Sequence, residues 1–256
     1  MTLLEAKDLN VLAGKKTLLQ NIHFSLNANE WLMVCGPNGA GKTTLINAIT
    51  GANDFSGTIE LTGTSITQYS SKERARKIAV LTQKYSVLYD FTVREVVHLG
   101  RYAWRNANSA DKGSAVLSDK EAIDSALEQC GLTGMQDRLI TTLSGGELQR
   151  TFLAQVFAQQ PQILLLDEPA NNLDLVYQKN IFTLLQEWVK QDDHAILSVE
   201  HDLTTVKKYA DSALLLDCSK QIAFDSIDKV LTRENLEQVY KLDVNAWMQE
   251  QLSVWN

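Results

Sequence analysis

Gly36-Pro37-Asn38-Gly39-Ala40-Gly41-Lys42-Thr43 lies between an apolar run ending Met33-Val34-Cys35 and the segment Thr43-Thr44-Leu45-Ile46-Asn47-Ala48-Ile49. The run reads as a buried strand, and the segment carries apolar residues at helical spacing. No other feature constrains the fold as tightly. Glycines let the backbone take positive φ and approach an anion closely. Consecutive N–H groups at a helix N-terminus then cradle phosphates. The spacing, Gly, four residues, Gly-Lys-Thr, places Lys42 to reach β and γ phosphates and the Thr43 hydroxyl to ligate Mg²⁺. An ordinary glycine turn with a stray lysine is the bland alternative, and the strand-loop-helix context argues against it.

A second element points the same way. Ile163-Leu164-Leu165-Leu166 is uniformly apolar and is bracketed by Pro161 and Pro169. Such a run suits a strand buried on both faces of a parallel sheet. Asp167 then sits at the carboxyl end of a central strand, where open α/β sheets bind ligands. An acid there can hold the Mg²⁺ of a nucleotide. Glu168 beside it is a candidate to orient or deprotonate an attacking water. A solvated Asp-Glu turn is the competing reading, and the phosphate loop weakens it.

Thr142-Leu143-Ser144-Gly145-Gly146 precedes a helical stretch, Glu147 to Gln159, with Phe152, Leu153, Val156 and Phe157 on its apolar face. Ser144 and Glu147 have capping-box spacing. A plain capped helix satisfies these residues by itself, yet a helix N-terminus is also an anion site.

With these motifs in that order, the sequence resembles the ATP-binding subunit of an ATP-binding-cassette (ABC) transporter over essentially its whole length. The resemblance implies an α/β fold: a P-loop NTPase (RecA-like) core, an antiparallel β subdomain and an inserted α-helical subdomain. It implies ATP and Mg²⁺ as cofactors, with Gly36, Pro37, Asn38, Gly39, Ala40, Gly41, Lys42, Thr43 and Thr44 on the nucleotide. It also implies a head-to-tail homodimer in which Ser144, Gly145, Gly146 and Glu147 face the γ-phosphate held by the other copy. The commonest residue at position 147 is Gln, so the Glu is a variant. Gln83, after Ala79-Val80-Leu81-Thr82, matches a glutamine that contacts Mg²⁺ and the water, which adds it to Thr43 and Asp167 as a metal contact. His201, in Ser198-Val199-Glu200-His201-Asp202, matches a histidine that touches the γ-phosphate. Asp174 matches the aspartate of a loop linking the two sites, with Asn171 and Asn172 as mild departures. A sharper departure is Ala13, at the position where the family stacks an aromatic residue on adenine.

Composition narrows the class. Across 256 residues the net charge is −7, which argues against a nucleic-acid-binding surface. No stretch approaches about twenty uninterrupted apolar residues, so no membrane span is expected. Met1 to Ala13 carries acids and no long apolar core, unlike a secretory signal. Cys35, Cys130 and Cys218 are widely spaced and odd in number, as in a reducing cytoplasm rather than a disulfide frame or zinc site. Cys35 reads as a buried structural thiol.

The expected organisation is an ATPase domain over residues 1–240, with its helical subdomain over about 84–160, and a short C-terminal extension over 241–256. Helices are expected at Val93 to Tyr102, Asp119 to Cys130 and Glu147 to Gln159, and the stretch from Asp228 to Trp255 is largely helical in pattern. Asn106 to Ser114 reads as an exposed loop. Tyr85, Leu88, Tyr89, Phe91 and Arg101 flank Gln83 and are expected to line a groove for a permease subunit, or, on the plainer reading, to pack the subdomain. The run Thr92-Val93-Arg94-Glu95-Val96-Val97-His98-Leu99-Gly100-Arg101-Tyr102 is similar to subunits serving iron-chelate (siderophore or haem) and vitamin B12 importers, as is the stretch from Val230 to Tyr240. The implied place is the cytoplasmic face of the membrane, as a peripheral subunit beside permease subunits and, indirectly, a substrate-binding protein. A soluble ABC-type ATPase with an assembly or regulatory role is the alternative. The Ser-Gly-Gly signature argues against an unrelated P-loop kinase or GTPase.

Overall fold

The computed structural model describes residues 1–82, 90–105, 107, 116–171, 173–191 and 193–254. The chain forms two compact units, Met1–Ile66 with Leu197–Asn256, and Thr67–Ile196.

The first unit opens with β1 (Thr2–Ala13) and β2 (Lys16–Asn27), an antiparallel hairpin turning at Gly14 and Lys15. Alternation turns Ile22, Phe24 and Leu26 of β2 into the core. The register slips near the turn. Leu12 pairs with Thr17 but Val11 pairs with Leu19, so Leu18 is the extra residue of a β-bulge. From β3 (Glu30–Cys35), buried from Trp31 onward, the chain enters α1 (Lys42–Thr50). β4 (Phe55–Leu61) pairs with the free side of β1, and β5 (Thr64–Ser65) pairs with β4.

The second unit contains α2 (Ser71–Lys77), β6 (Ile78–Leu81), α3 (Val93–Leu99), α4 (Asp119–Gln129), α5 (Gly145–Ala158), β7 (Ile163–Asp167) and α6 (Leu175–Val189). β6 and β7 run parallel, from Ile78 opposite Ile163 to Leu81 opposite Leu166. Four helices in succession, α2 to α5, begin with a complete capping box: Ser70 with Glu73, Thr92 with Glu95, Ser118 with Glu121 and Ser144 with Glu147. Each box satisfies backbone donors that the helix itself cannot. Apolar faces of α3, α4 and α5 meet through residues such as Val97, Ile123 and Leu153. The helices expected from periodicity are present, with α3 tightening into a 3₁₀ turn over Gly100–Trp104.

One expectation is overturned here. Arg101, expected on a docking surface, is only 2% exposed. Its Nε donates to Asp119 at 2.9 Å, Nη1 to the Ala158 carbonyl at 2.8 Å, and Nη2 to the Leu117 carbonyl at 3.1 Å. The guanidinium also lies 5.4 Å from the Trp104 ring centroid. Burying this charge is tolerated because a carboxylate, two backbone carbonyls and the Gln160 side-chain oxygen satisfy it. Arg101 is a clamp between the start of α4 and the end of α5.

β8 (Ala195–Val199) leads from the second unit back into the first, followed by α7 (Leu203–Tyr209), β9 (Ser212–Asp217), β10 (Lys220–Ser226), α8 (Ile227–Val230), α9 (Arg233–Tyr240) and α10 (Val244–Ser253). In the first unit the strand order is β5-β4-β1-β2-β10-β9-β3. β3 and β9 are parallel, with Leu32 opposite Ser212 and Cys35 opposite Leu215. Trp31 pins this sheet. Its indole N–H donates to Ser198 Oγ at 2.8 Å and its backbone N–H to the Asp211 carboxylate at 2.8 Å. The class is α/β. Among the described residues, no helix is long and apolar enough to cross a membrane.

Candidate functional site

The phosphate loop belongs to the first unit. A Cβ on Gly36 would stand 2.1 Å from the Leu216 carbonyl oxygen, so β9 leaves room for glycine alone. Gly41 has φ 107° and caps α1 without any side-chain bond. A Cβ there would meet Leu19 Cδ2 at 2.5 Å and the Leu18 carbonyl at 2.8 Å. The bulge in β2 thus lies directly against the loop. No acid occupies the first turn of α1. Its N-terminal N–H groups therefore present an uncompensated positive end to an anion. Lys42 is buried, and its ammonium donates to the Gly36 carbonyl at 2.7 Å and the Pro37 carbonyl at 3.0 Å. Thr43 is exposed beside it. Burial pushes the Cys35 thiol up to about 12, so at neutral pH it is a protonated, unreactive core residue.

His201 follows β8 in the same unit. The Glu200 N–H donates to the Val34 carbonyl at 3.1 Å, which anchors the approach to His201 beside the strand that feeds the loop. Asp202 then caps α7 by accepting from the Thr204 N–H at 2.9 Å. Tyr240, which no sequence pattern singles out, also reaches this loop. Burial first and the neighbouring Cys35 second push its phenol pKa well above the usual range, and the Gly36 backbone pulls weakly the other way.

The second unit carries the acids and the other glycine loop. Asp167 ends β7 and is 8% exposed. Glu168 follows at φ 52°, a left-handed conformation costly for a non-glycine residue and concentrated at functional sites. The Asn171 side-chain amide bonds the Glu168 carboxylate. Asp174 caps α6, accepting from Val176 N–H at 3.1 Å and Tyr177 N–H at 3.0 Å.

Ser144 caps α5, and Glu147 reaches back to accept from the Ser144 N–H at 2.8 Å. That backbone bond leads the causes holding the Glu147 carboxyl below its ordinary value, with Arg138 and Arg150 adding to it. Arg138 sits 3.4 Å from the Glu147 carboxylate. Gly145 is open, whereas a Cβ on Gly146 would stand 2.7 Å from the Tyr177 ring. Gln149 joins α5 to the turn after the acids by donating to the Pro169 carbonyl at 2.6 Å. The capping pattern reveals Ser144 and Glu147 from sequence, but nothing local reveals Tyr177 or Gln149. Gln83, Tyr85, Leu88, Tyr89 and Asn172 lie outside the described residues.

Residues 19–171 match the ABC transporter family. The chain is 35% identical over 248 residues to the hemin import ATP-binding protein HmuV of Pseudomonas fluorescens, covering 94% of each. It is 33% identical over 247 residues to the ferric enterobactin transport ATP-binding protein FepC of Escherichia coli, covering 93% of this chain and 87% of that one. It is 37% identical over 237 residues to the uncharacterized ABC transporter ATP-binding protein YvrA of Bacillus subtilis. That match covers 91% of this chain but spans only 52% of that relative. The ADP conformation of the ATP-binding cassette MJ1267 shares the fold, with a TM-score of 0.81 at 24% identity over 94% of this chain and 98% of that one. With these matches, the chain belongs to the ABC transporter family as an ATP-binding protein with the P-loop NTPase fold.

Proposed function

We propose that this chain is the ATP-hydrolysing subunit of an ABC importer whose cargo is an iron chelate, a siderophore complex or haem, or vitamin B12. One observation carries the cargo class. The relatives named for hemin import and ferric enterobactin transport match it across more than nine-tenths of its length. Vitamin B12 rests on subfamily resemblance alone.

In this reading Lys42 and the N–H groups opening α1 hold the phosphates of ATP. Thr43 and Asp167 offer a hydroxyl and a carboxylate, the hard oxygen donors that Mg²⁺ takes, and Gln83 joins them. Glu168 positions the attacking water and His201 contacts the γ-phosphate. Two copies pair head to tail, so that Ser144 to Glu147 of one complete the nucleotide site of the other, with Asp174 between the sites. Phe91, Leu99 and Tyr102 are 40%, 53% and 64% exposed. These apolar side chains suit docking of a permease subunit, at the cytoplasmic face of the membrane.

The test is purification of the tagged chain, expressed with its genomic neighbours, from detergent-solubilised membranes. The complex should contain an integral membrane protein. Its ATPase rate should rise when a chelate-loaded binding protein is added. A chain that purifies active and free of any membrane protein would favour a soluble assembly or regulatory ATPase.

A further inference from the structure

The C-terminal helices of the first unit enclose a groove of about 690 Å³, within the range of small-molecule sites, roughly 300–1,000 Å³. Leu203 of α7, Leu236 of α9, and Val244, Met248 and Leu252 of α10 supply its apolar wall. Between α7 and α10 the Thr204 hydroxyl approaches the Met248 sulfur at 3.9 Å, a weak hydrogen bond. Leu252, in the last turn of α10, is 65% exposed.

Its charge runs against the chain as a whole. The protein has 31 acidic and 24 basic residues. Yet, among the described residues, the side chains lining the groove include Lys207 and Lys208 and no carboxylate. Both lysines are exposed and therefore edge an apolar cleft. A cleft that is greasy inside and cationic at its rim complements one kind of small molecule, an apolar tail ending in an anion.

We propose that this groove is a binding site for an amphiphilic carboxylate of the fatty-acid class, with its chain against Leu236, Val244 and Met248 and its carboxylate toward Lys207 and Lys208. The site lies within the first unit and involves none of the nucleotide-binding residues. It stands or falls independently of the transport reading.

The probe is sodium laurate below its aggregation concentration, titrated into the full nucleotide-free chain by calorimetry. Dodecyltrimethylammonium, with the same tail and opposite charge, is the control. Laurate should saturate at one per chain and bind at least tenfold more tightly than the cation. The K207Q/K208Q double variant should weaken laurate about fivefold to tenfold, the scale of two partly exposed ion pairs. Met248→Trp, which fills the cleft, should abolish binding. Equal affinity for the two probes, or several laurates per chain, would mean unspecific adsorption and would overturn the proposal. Should a variant fail to fold, the comparison of the two probes on the unmodified chain still decides.

Discussion

The side-chain amide of Gln149 donates a 2.6 Å hydrogen bond to the carbonyl oxygen of Pro169. The helix of the glycine signature is thereby held to the turn that leaves Asp167 and Glu168. Gln149→Leu keeps the bulk and leaves that carbonyl without its donor. The expected cost is about 1–3 kcal/mol, seen as a lowered melting temperature, together with a reduced ATPase rate. A variant that melts earlier but turns over at the original rate would make the bond purely structural.

Glu168 is the acid whose loss should stop chemistry without stopping binding. Glu168→Gln is nearly isosteric and removes the carboxylate proposed to act on the water. Turnover should fall by at least ~10²-fold, while ATP still binds and an ATP-locked dimer accumulates on size-exclusion chromatography. Hydrolysis near the original rate would remove Glu168 from this role.

Glu147 puts a negative charge at a loop proposed to face a phosphate, and Arg138 beside it partly neutralises that charge. Arg138→Ala should therefore weaken ATP-driven dimerisation, and Glu147→Gln should restore it in the double variant. Acid stability supplies a separate check. The folded Glu147 pKa lies below its ordinary value of 4.5. Its contribution is present above 4.5 and is lost as pH falls through the folded value. Melting temperatures measured from neutral pH downward should fall less steeply for Glu147→Gln than for the unmodified chain.

Arg101 and Tyr102 are sequence neighbours with opposite fates, 2% and 64% exposed. Arg101→Ala leaves the Ala158 and Leu117 carbonyls without a buried donor and should cost several kcal/mol. Tyr102→Glu should leave the melting temperature nearly unchanged and abolish association with the membrane subunit. A Tyr102→Glu chain that still co-purifies with its permease would place docking elsewhere.

Ala13 ends β1 and is exposed, paired with Lys16 across the turn. Stacking of an aromatic side chain on a base is worth ~1–3 kcal/mol, and alanine cannot supply it. The isolated chain should bind GTP nearly as well as ATP, and Ala13→Tyr should tighten ATP. A preference for ATP beyond tenfold, ~1.4 kcal/mol, would mean that another side chain holds the base.

Legibility followed the range of the interactions. The phosphate loop, the apolar run into Asp167 and the box of Ser144 with Glu147 depend on neighbours a few positions away, and each could be read from residue type and spacing. Residue type and spacing were therefore enough for the α/β class, the loop before α1 and the acids at the end of β7. What lies against them came from long-range packing. Gly36 is held to glycine by the Leu216 carbonyl, and Gly146 by the Tyr177 ring. Tyr240 reaches the phosphate loop from the far end of the chain. Arg101 lies in a run expected to line a docking groove, yet four partners distant in sequence draw it inside. A local pattern specifies which face of an element is apolar. It does not specify which backbone or ring will press against that face, because that depends on how segments far apart in the chain pack together.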